Sequence, residues 1–237
     1  MTTRFYVTSP PFYFPSFVRV NSFMTGNIRK LDEQIEGAVG GFLDTYFYPR
    51  LTKGKKWERI HDKHLQFRGV DVRIGNGAID EKAKVRSCLN RLMMWPSFEL
   101  SFLDRTGTRQ EGWFVRHNLT THYLISNVWS QFTENEITDK EKIDRLRVLI
   151  VRKRDVLRLV HDSGLDLVTI DREVRKQDPD FDGRARLQYR DRGMLVSWSP
   201  FFKESPVNLS INRNLLSSLP SACDIEVTRS GISSMRK

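Results

Sequence analysis

The sequence predicts an α/β protein, and three observations lead to that fold class. Apolar residues recur at helical spacing early in the chain, two short runs flank Gly75-Asn76-Gly77 as in a β-hairpin, and several later apolar runs have the length of strands. Strands interspersed with helices favour a mixed central sheet flanked by helices. The chain has no internal repeat and no long linker, so we expect its 237 residues to form a single domain.

The first helix is predicted from about Asn27. Residues 1–26, which are rich in Phe, Tyr and Pro, are expected to form an N-terminal arm over the core. Glycines at positions 37, 40 and 41 would let the helix approach a sheet closely. The apolar residues follow a helical pattern on one face: Leu31, Ile35, Ala38, Val39, Phe42, Leu43 and Tyr46.

The hairpin is predicted from the Asn76-Gly77 dipeptide, because both of its residues tolerate positive φ. A two-residue turn at this dipeptide would place Arg73 opposite Asp80. Side chains alternate between the two faces of a strand. One face would therefore carry Val70, Val72, Ile74, Ile79 and Ala83, with Glu81 as the charged residue among them, and the other would carry Asp71, Arg73, Asp80 and Lys82.

The polar face of this hairpin has two interpretations. In the first it is a solvated face, whose cross-strand ion pairs contribute about 0.2–1 kcal/mol each. In the second it is a metal site, because Mg²⁺ binds one or two carboxylates together with waters and a substrate phosphate. A neighbouring ammonium can then orient or deprotonate the attacking water. Asp71, Asp80 and Lys82 supply these groups.

Asp71, followed after the turn by Asp80-Glu81-Lys82, resembles the signature of the PD-(D/E)XK nuclease superfamily, with Val70 in place of the motif's proline and a short spacing. The resemblance implies a restriction endonuclease-like α-β-β-β-α-β core in residues 27–130. Residues 131–237 would form a C-terminal α+β extension of the sheet with a basic surface. The resemblance also implies that Asp71 and Asp80 bind Mg²⁺ or Mn²⁺ and that Lys82 assists the water.

Two glutamates are candidates to complete this site. In the superfamily a glutamate on the helix before the hairpin often joins the active site, and Glu36 matches that place, with Glu33 as the second choice. The alternation in Ser97–Leu103 predicts a strand. Because the superfamily's third core strand lies beside the hairpin, Glu99 is a candidate outer metal ligand. For both glutamates, the alternative is an ordinary solvent-facing side chain.

The charge of the chain points to its partner. A formal net charge of +10 favours a polyanion, and nucleic acid is the usual one. Lys55 and Lys56, which precede Trp57, are candidate phosphate contacts, and the alternative is a solvated loop with one packed tryptophan. Arg73 would touch the scissile phosphate or neutralise Asp80. The densest basic stretch surrounds a second predicted hairpin and contributes Arg184, Arg186, Arg190 and Arg192.

The remaining elements are predicted from short apolar runs and capping patterns. Short apolar runs predict strands at 112–115, 123–129, 147–151 and 208–211. Two further runs predict short helices at 156–160 and 215–219. Thr138 and Glu141 have the spacing of a capping box that would open another short helix.

These features favour a Mg²⁺-dependent endodeoxyribonuclease. The alternatives are a catalytically inactive nucleic-acid-binding protein and a nuclease that acts on RNA. Cleavage of two strands by a single-site enzyme would favour a homodimer.

Other features narrow the class of protein. Cys88 and Cys223 lie far apart, which excludes a disulfide framework and a cysteine-based zinc site. No stretch has the length of a membrane span, and prolines interrupt the N-terminal segment where a signal peptide would be apolar. We therefore expect a cytoplasmic protein with no membrane partner.

Overall fold

The computed structural model describes residues 25–83, 85 and 88–234, with side chains from residue 30 onward. The N-terminal arm predicted for residues 1–26 lies almost wholly outside the described residues. None of the described helices combines the length and the apolar character needed to cross a bilayer.

The first helical segment contains three successive parts. Helix α1 (Thr25–Phe42) continues through a π-helical turn (Leu43–Phe47) into α2 (Tyr48–Thr52). Proline at position 49 lacks the N–H that an uninterrupted α-helix would bond to residue 45, which accounts for the change in helical pitch. The other helices are α3 (Lys63–Phe67), α4 (Trp113–Arg116), α5 (Lys153–Asp162), α6 (Leu167–Val174) and α7 (Arg213–Ser218), with 3₁₀ turns at Glu134–Glu136, Lys140–Lys142 and Arg190–Arg192.

The described strands form two sheets. They are β1 (Trp57–Arg59), β2 (Val72–Ile74), β3 (Gly77–Ala83), β4 (Ser97–Leu103), β5 (Arg109–Glu111), β6 (His122–Trp129), β7 (Arg145–Arg152), β8 (Ala185–Tyr189), β9 (Met194–Trp198), β10 (Val207–Ile211), β11 (Cys223–Thr228) and β12 (Ile232–Ser234). The larger sheet has the order β1-β2-β3-β6-β7-β11-β12, and the smaller has the order β5-β4-β10-β9-β8. The pairing of β3 with β6 is parallel, whereas the other paired strands in the described residues are antiparallel. The fold is therefore of the mixed α/β class.

Two hydrophobic cores lie on opposite faces of the larger sheet. On one face α1, the π-helical turn and α2 pack against Val72, Ile79 and Leu124. On the other face Tyr123 and Ile125 pack against residues of the smaller sheet and of α5 and α6. Burying both faces of the central strands explains the uninterrupted apolar runs at residues 123–125 of β6 and 148–151 of β7.

The hairpin of β2 and β3 is present, but its predicted register is wrong. The turn consists of Gly75 and Asn76, with Ile74 paired to Gly77 and Val72 paired to Ile79. Gly75 has φ of +54°, which suits a turn with glycine at its first central position, so the Gly-Asn signal prevails over the overlapping Asn-Gly signal. Pairing shifts by two residues, which preserves the two predicted faces.

The shifted register separates Arg73 from Asp80. Arg73 pairs with Ala78, so the prediction that it lies opposite Asp80 is wrong. Immediately before β2, the Asp71 N–H donates to the Ile79 carbonyl at 2.9 Å, which brings Asp71 next to Asp80 instead.

The strand predicted at Ser97–Leu103 exists as β4, but it lies in the smaller sheet rather than beside the hairpin. The neighbour of β3 is β6, and the chain between them contributes β4, β5 and α4. Residues 112–115, predicted as a strand, belong largely to helix α4. A Cβ on Gly112 would lie 2.4 Å from the Glu99 carbonyl oxygen, so glycine allows the chain to turn closely against β4.

Several later predictions are confirmed. The strands predicted at 123–129, 147–151 and 208–211 are β6, β7 and β10, and the helices predicted at 156–160 and 215–219 correspond to α5 and α7. The second hairpin forms between β8 and β9, with Gly193 at φ of +60°. The capping box lies at Thr133 and Glu136 rather than at Thr138 and Glu141.

Candidate functional site

Strand β3 positions the acidic centre of the site. Asp80 and Lys82 point to the face of the large sheet that the smaller sheet covers, and the parallel ladder sets them beside Tyr123 and Ile125 of β6. Asp80 is only 1% exposed. The Lys82 Nζ lies 2.6 Å from Asp80 Oδ1 and remains partly open to solvent. A buried carboxylate therefore contacts an accessible ammonium.

His117 is the second partner of Asp80. Its Nδ1 lies 3.1 Å from Asp80 Oδ2, and its carbonyl oxygen accepts a hydrogen bond from Lys153 Nζ at 2.6 Å. Burial would raise the pKa of Asp80, but Lys82 and His117 together bring it below its usual value. Asp80 is therefore held as an anion.

The loop that carries His117 approaches Gly69 very closely. A Cβ on Gly69 would lie 2.2 Å from Thr120 Oγ1 and 2.6 Å from His117 Nδ1, and Gly69 has φ of +78°. Thr120 Oγ1 donates to the Gly69 carbonyl at 2.8 Å. Glycine at position 69 is thus needed to place His117 against Asp80.

Asp71 is the second carboxylate of the centre. One of its oxygens accepts a hydrogen bond from the Glu81 N–H at 2.8 Å. Burial, reinforced by the negative charge of Asp80, raises the pKa of Asp71 to about 7. Two neighbouring carboxylates of this kind repel each other unless a proton or another cation lies between them.

Aromatic side chains enclose the lysine. Lys82 Nζ lies 4.5 Å from the centre of the Trp113 ring, a cation–π contact. Tyr123 is fully buried against Trp113, and its hydroxyl has no hydrogen-bond partner. Burial and the charge of Asp80 raise the pKa of the Tyr123 hydroxyl. The described residues thus leave one buried hydroxyl unsatisfied beside the acidic centre.

The two candidate glutamates lie at the margin of this centre. Glu36 is exposed on α1, yet desolvation of its carboxylate raises its pKa while the Lys82 charge opposes that shift. Glu99 on β4 is partly buried and accepts a hydrogen bond from the Trp113 N–H at 3.4 Å. Burial raises the pKa of Glu99, again opposed by Lys82 among other groups. Both glutamates therefore lie within electrostatic reach of Lys82.

Glu81, the charged residue on the apolar face, belongs to a different cluster. Its carboxylate accepts hydrogen bonds from the Tyr48 hydroxyl and from the Arg59 guanidinium, which also binds Asp44. Arg59 lies in strand β1 and is paired with both of these carboxylates. The cluster connects β3 with β1, the π-helical turn and α2.

The predicted nucleic-acid contacts are dispersed. Lys55 and Lys56 are exposed in the turn before β1, and Arg73 is exposed on β2. Of the arginines of the second hairpin, Arg186 lies in β8, Arg184 precedes that strand, and Arg190 and Arg192 lie in the 3₁₀ turn after it. Of these, Arg186 pairs with Asp180 and Asp182, Arg190 donates to Gln188, Arg192 donates to the Ser163 carbonyl, and Arg184 is partly buried.

The donor set fits a hard divalent cation bound through few protein ligands. Within the described residues no group of three or more His, Cys, Asp or Glu side chains is arranged to hold a metal. Mg²⁺ commonly uses only one or two carboxylates, with waters and substrate phosphate completing its shell. Asp71 and Asp80 supply two carboxylates, and the effect of the Asp80 charge on the pKa of Asp71 indicates that they lie close together.

Sequence reasoning identified Asp71, Asp80 and Lys82 but assigned no site role to Trp113 or Tyr123. His117 directly follows helix α4, and the sequence does not predict a contact between it and Asp80. Its contact with Asp80 depends on the approach of two loops distant in sequence, and no local pattern indicates it.

Comparisons of the chain with protein-family models, with curated proteins and with solved structures found no match. The functional assignment therefore depends on the residues and their geometry.

Proposed function

We propose that the protein is a Mg²⁺- or Mn²⁺-dependent nuclease that hydrolyses phosphodiester bonds, with DNA as the expected substrate. The observation that carries this proposal is the acidic centre: a buried Asp80, a neighbouring Asp71 and a lysine whose Nζ lies 2.6 Å from Asp80. Carboxylates with perturbed pKa values cluster at functional sites, and Mg²⁺ binds one or two carboxylates together with waters and substrate phosphate.

The order of elements supports a restriction endonuclease-like core. Helix α1 precedes the antiparallel strands β1, β2 and β3, and β6 then lies parallel to β3. Helix α4 lies in the connection between β3 and β6, which also carries β4 and β5. This order is compatible with an α-β-β-β-α-β core in which the crossover has an inserted hairpin.

In this proposal each residue has a defined task. Asp71 and Asp80 would hold the metal, which supplies Lewis-acid stabilisation of the charge that develops on the phosphoryl oxygens. Lys82 orients the attacking water through its ammonium group, while Trp113 limits the positions that this ammonium can reach. His117 holds Asp80 in place, and Glu36 and Glu99 are the candidates to complete the shell.

The test is Mg²⁺-dependent cleavage of supercoiled plasmid by the wild-type protein beside Asp80→Ala and Lys82→Ala. Both variants are expected to lose at least about a hundredfold in rate while they still bind DNA. A lane with EDTA controls for the metal, and labelled RNA tests the alternative substrate. Retention of full cleavage by both variants would contradict the assigned site.

One observation favours a second function, a catalytically inactive nucleic-acid-binding protein. Both oxygens of Asp80 already have partners, one in Lys82 and the other in His117. If this pairing is purely structural, no divalent metal would support cleavage, yet salt-sensitive binding would persist in both variants.

A further inference from the structure

Two aromatic rings enclose the guanidinium of Arg116. The Arg116 Cζ lies 4.2 Å from the centre of the Phe67 ring in α3 and 5.8 Å from that of Phe102 in β4. Phe67 is 62% exposed, so one side of the pair that it forms with Arg116 is open to solvent. The contact with Arg116 gives this ring a role in holding the guanidinium.

The guanidinium itself has no polar partner. The Arg116 side chain forms no hydrogen bond or ion pair with any described residue, and its buried Nε is unsatisfied. Lys82, by contrast, is paired with Asp80, and Arg59 with Asp44 and Glu81. A stacked guanidinium whose two terminal amino groups have no partner in the described part of the chain can bind an oxyanion through both of them.

The position of Arg116 places it at the acidic centre. It ends helix α4, which begins with the Trp113 that covers Lys82, and it directly precedes the His117 that contacts Asp80. Its positive charge also acts on Glu99. The guanidinium therefore lies at the side of the site that Lys82 and Glu99 border.

We infer that Arg116, held between Phe67 and Phe102, binds a backbone phosphate of the nucleic-acid strand next to the bond that is cleaved. A phosphodiester has the charge and the two free oxygens that match the two amino groups. A strand bound at Lys82 would lie beside helix α4, which begins at the Trp113 in contact with Lys82 and ends at Arg116. The inference rests on the proposed nuclease function and assigns the residue that positions its substrate.

The experiment measures binding of a fluorescent DNA oligonucleotide in EDTA over a range of salt concentrations. The test variants are Arg116→Gln and Phe67→Ala. Phe67→Tyr keeps the ring, and Arg158→Gln removes one charge from an exposed arginine of α5. Thermal melting confirms that each variant is folded.

Arg116→Gln is expected to weaken binding about tenfold and to reduce the slope of log K against log salt by about 1, as for one lost phosphate contact. Phe67→Ala should weaken binding by a smaller factor, whereas Phe67→Tyr and Arg158→Gln should bind like the wild type. A purely structural role for Arg116 would lower the melting temperature without changing the salt slope.

The outcomes separate this inference from the proposed function. A wild-type protein that cuts DNA, with an Arg116→Gln variant of unchanged affinity and slope, would overturn the inference alone. A wild-type protein that neither binds nor cuts nucleic acid would overturn the nuclease proposal and this inference together.

Discussion

Asp71 and Asp80 show how two neighbouring carboxylates acquire different protonation behaviour. Asp80 has a cation on one oxygen and an imidazole on the other, so its pKa lies below its usual value despite burial. Among the described residues Asp71 accepts a hydrogen bond from the Glu81 N–H, and burial together with the charge of Asp80 raises its pKa. At neutral pH, without a bound cation, the negative charges of the two carboxylates repel each other.

This repulsion predicts a pH dependence of stability for the metal-free protein. Because the pKa of Asp71 is higher in the folded state, the folded protein binds more protons than the unfolded chain between about pH 4 and pH 7. Stability should therefore fall as pH rises through that window. In EDTA at pH 8, Asp71→Asn should stabilise the protein by about 1–2 kcal/mol, measured by urea unfolding.

Asp178→Asn, at an exposed carboxylate, is the control and should change the free energy of unfolding by less than about 0.5 kcal/mol. A less stable Asp71→Asn at pH 8 would show that the carboxylates do not repel each other.

Gly69 gives a second prediction at the residue scale. In Gly69→Ala the new Cβ would meet Thr120 and His117 at distances no real side chain adopts, so we expect a loss of at least about 2 kcal/mol in unfolding free energy. Gly54→Ala is a matched control, because Gly54 has a similar φ of +80° but nothing within 4 Å of its Cβ position. Equal losses in the two variants would mean that backbone strain alone, rather than close packing of His117, explains the effect.

At the scale of elements, the ion cluster on the back of β3 connects the sheet to the first helices. Arg59 of β1 binds Asp44 in the π-helical turn and Glu81 of β3, and its guanidinium lies beside Gly40 of α1. The partners raise the pKa of Arg59 despite its burial, and burial together with Glu81 raises the pKa of the Tyr48 hydroxyl. A Cβ on Gly40 would lie 3.7 Å from the Arg59 guanidinium, which is an ordinary van der Waals distance, so this packing does not require the predicted glycine.

Arg59→Ala should therefore lower the free energy of unfolding by about 2–4 kcal/mol, because it leaves two partly buried carboxylates without a cation. A double-mutant cycle with Glu81→Gln measures the coupling between the two residues. Arg145→Ala, which breaks the more exposed pair with Glu226, is the comparison and should cost at most about 1 kcal/mol. Similar losses in the two arginine variants would contradict a special role for the cluster.

Local signals predicted some elements of this fold well and failed where pairing is long-range. The apolar stripe of α1 and the runs of β6 and β7 were recognisable because each buries a continuous surface. The hairpin faces were correct, but its register was not, since Gly75-Asn76 and Asn76-Gly77 are overlapping turn signals. The sheet that contains β4 depends on which strands meet in space, which alternation within β4 does not encode.

At the scale of the whole molecule, positive charge is less available for binding than the sequence suggests. Arg186 is paired with Asp180 and Asp182. Lys55 and Lys56, by contrast, are exposed immediately before β1 of the larger sheet. In the candidate site, Asp71, Asp80 and Lys82 were named from a sequence motif. His117 and Trp113 were not, because they belong to the long connection between β3 and β6 and no local pattern indicates where it folds.

This difference predicts unequal effects on nucleic-acid binding. Replacing Lys55 and Lys56 together with glutamine should reduce the salt slope of DNA binding by about 2, as for two lost phosphate contacts. Arg186→Gln should leave the slope almost unchanged, because its charge is already compensated. Fluorescence anisotropy at several salt concentrations measures both, and a larger effect of Arg186→Gln would place the binding surface on the second hairpin.

The central claim is that Asp71 and Asp80 form a divalent-metal site, and Mn²⁺ binding followed by electron paramagnetic resonance tests it most directly. In the presence of a DNA oligonucleotide, the wild-type protein should show one saturable Mn²⁺ site. Asp71→Asn and Asp80→Asn, both checked for folding, should weaken it at least about tenfold, whereas Asp178→Asn should not. Absence of saturable binding, or equal binding in all four proteins, would contradict the claim.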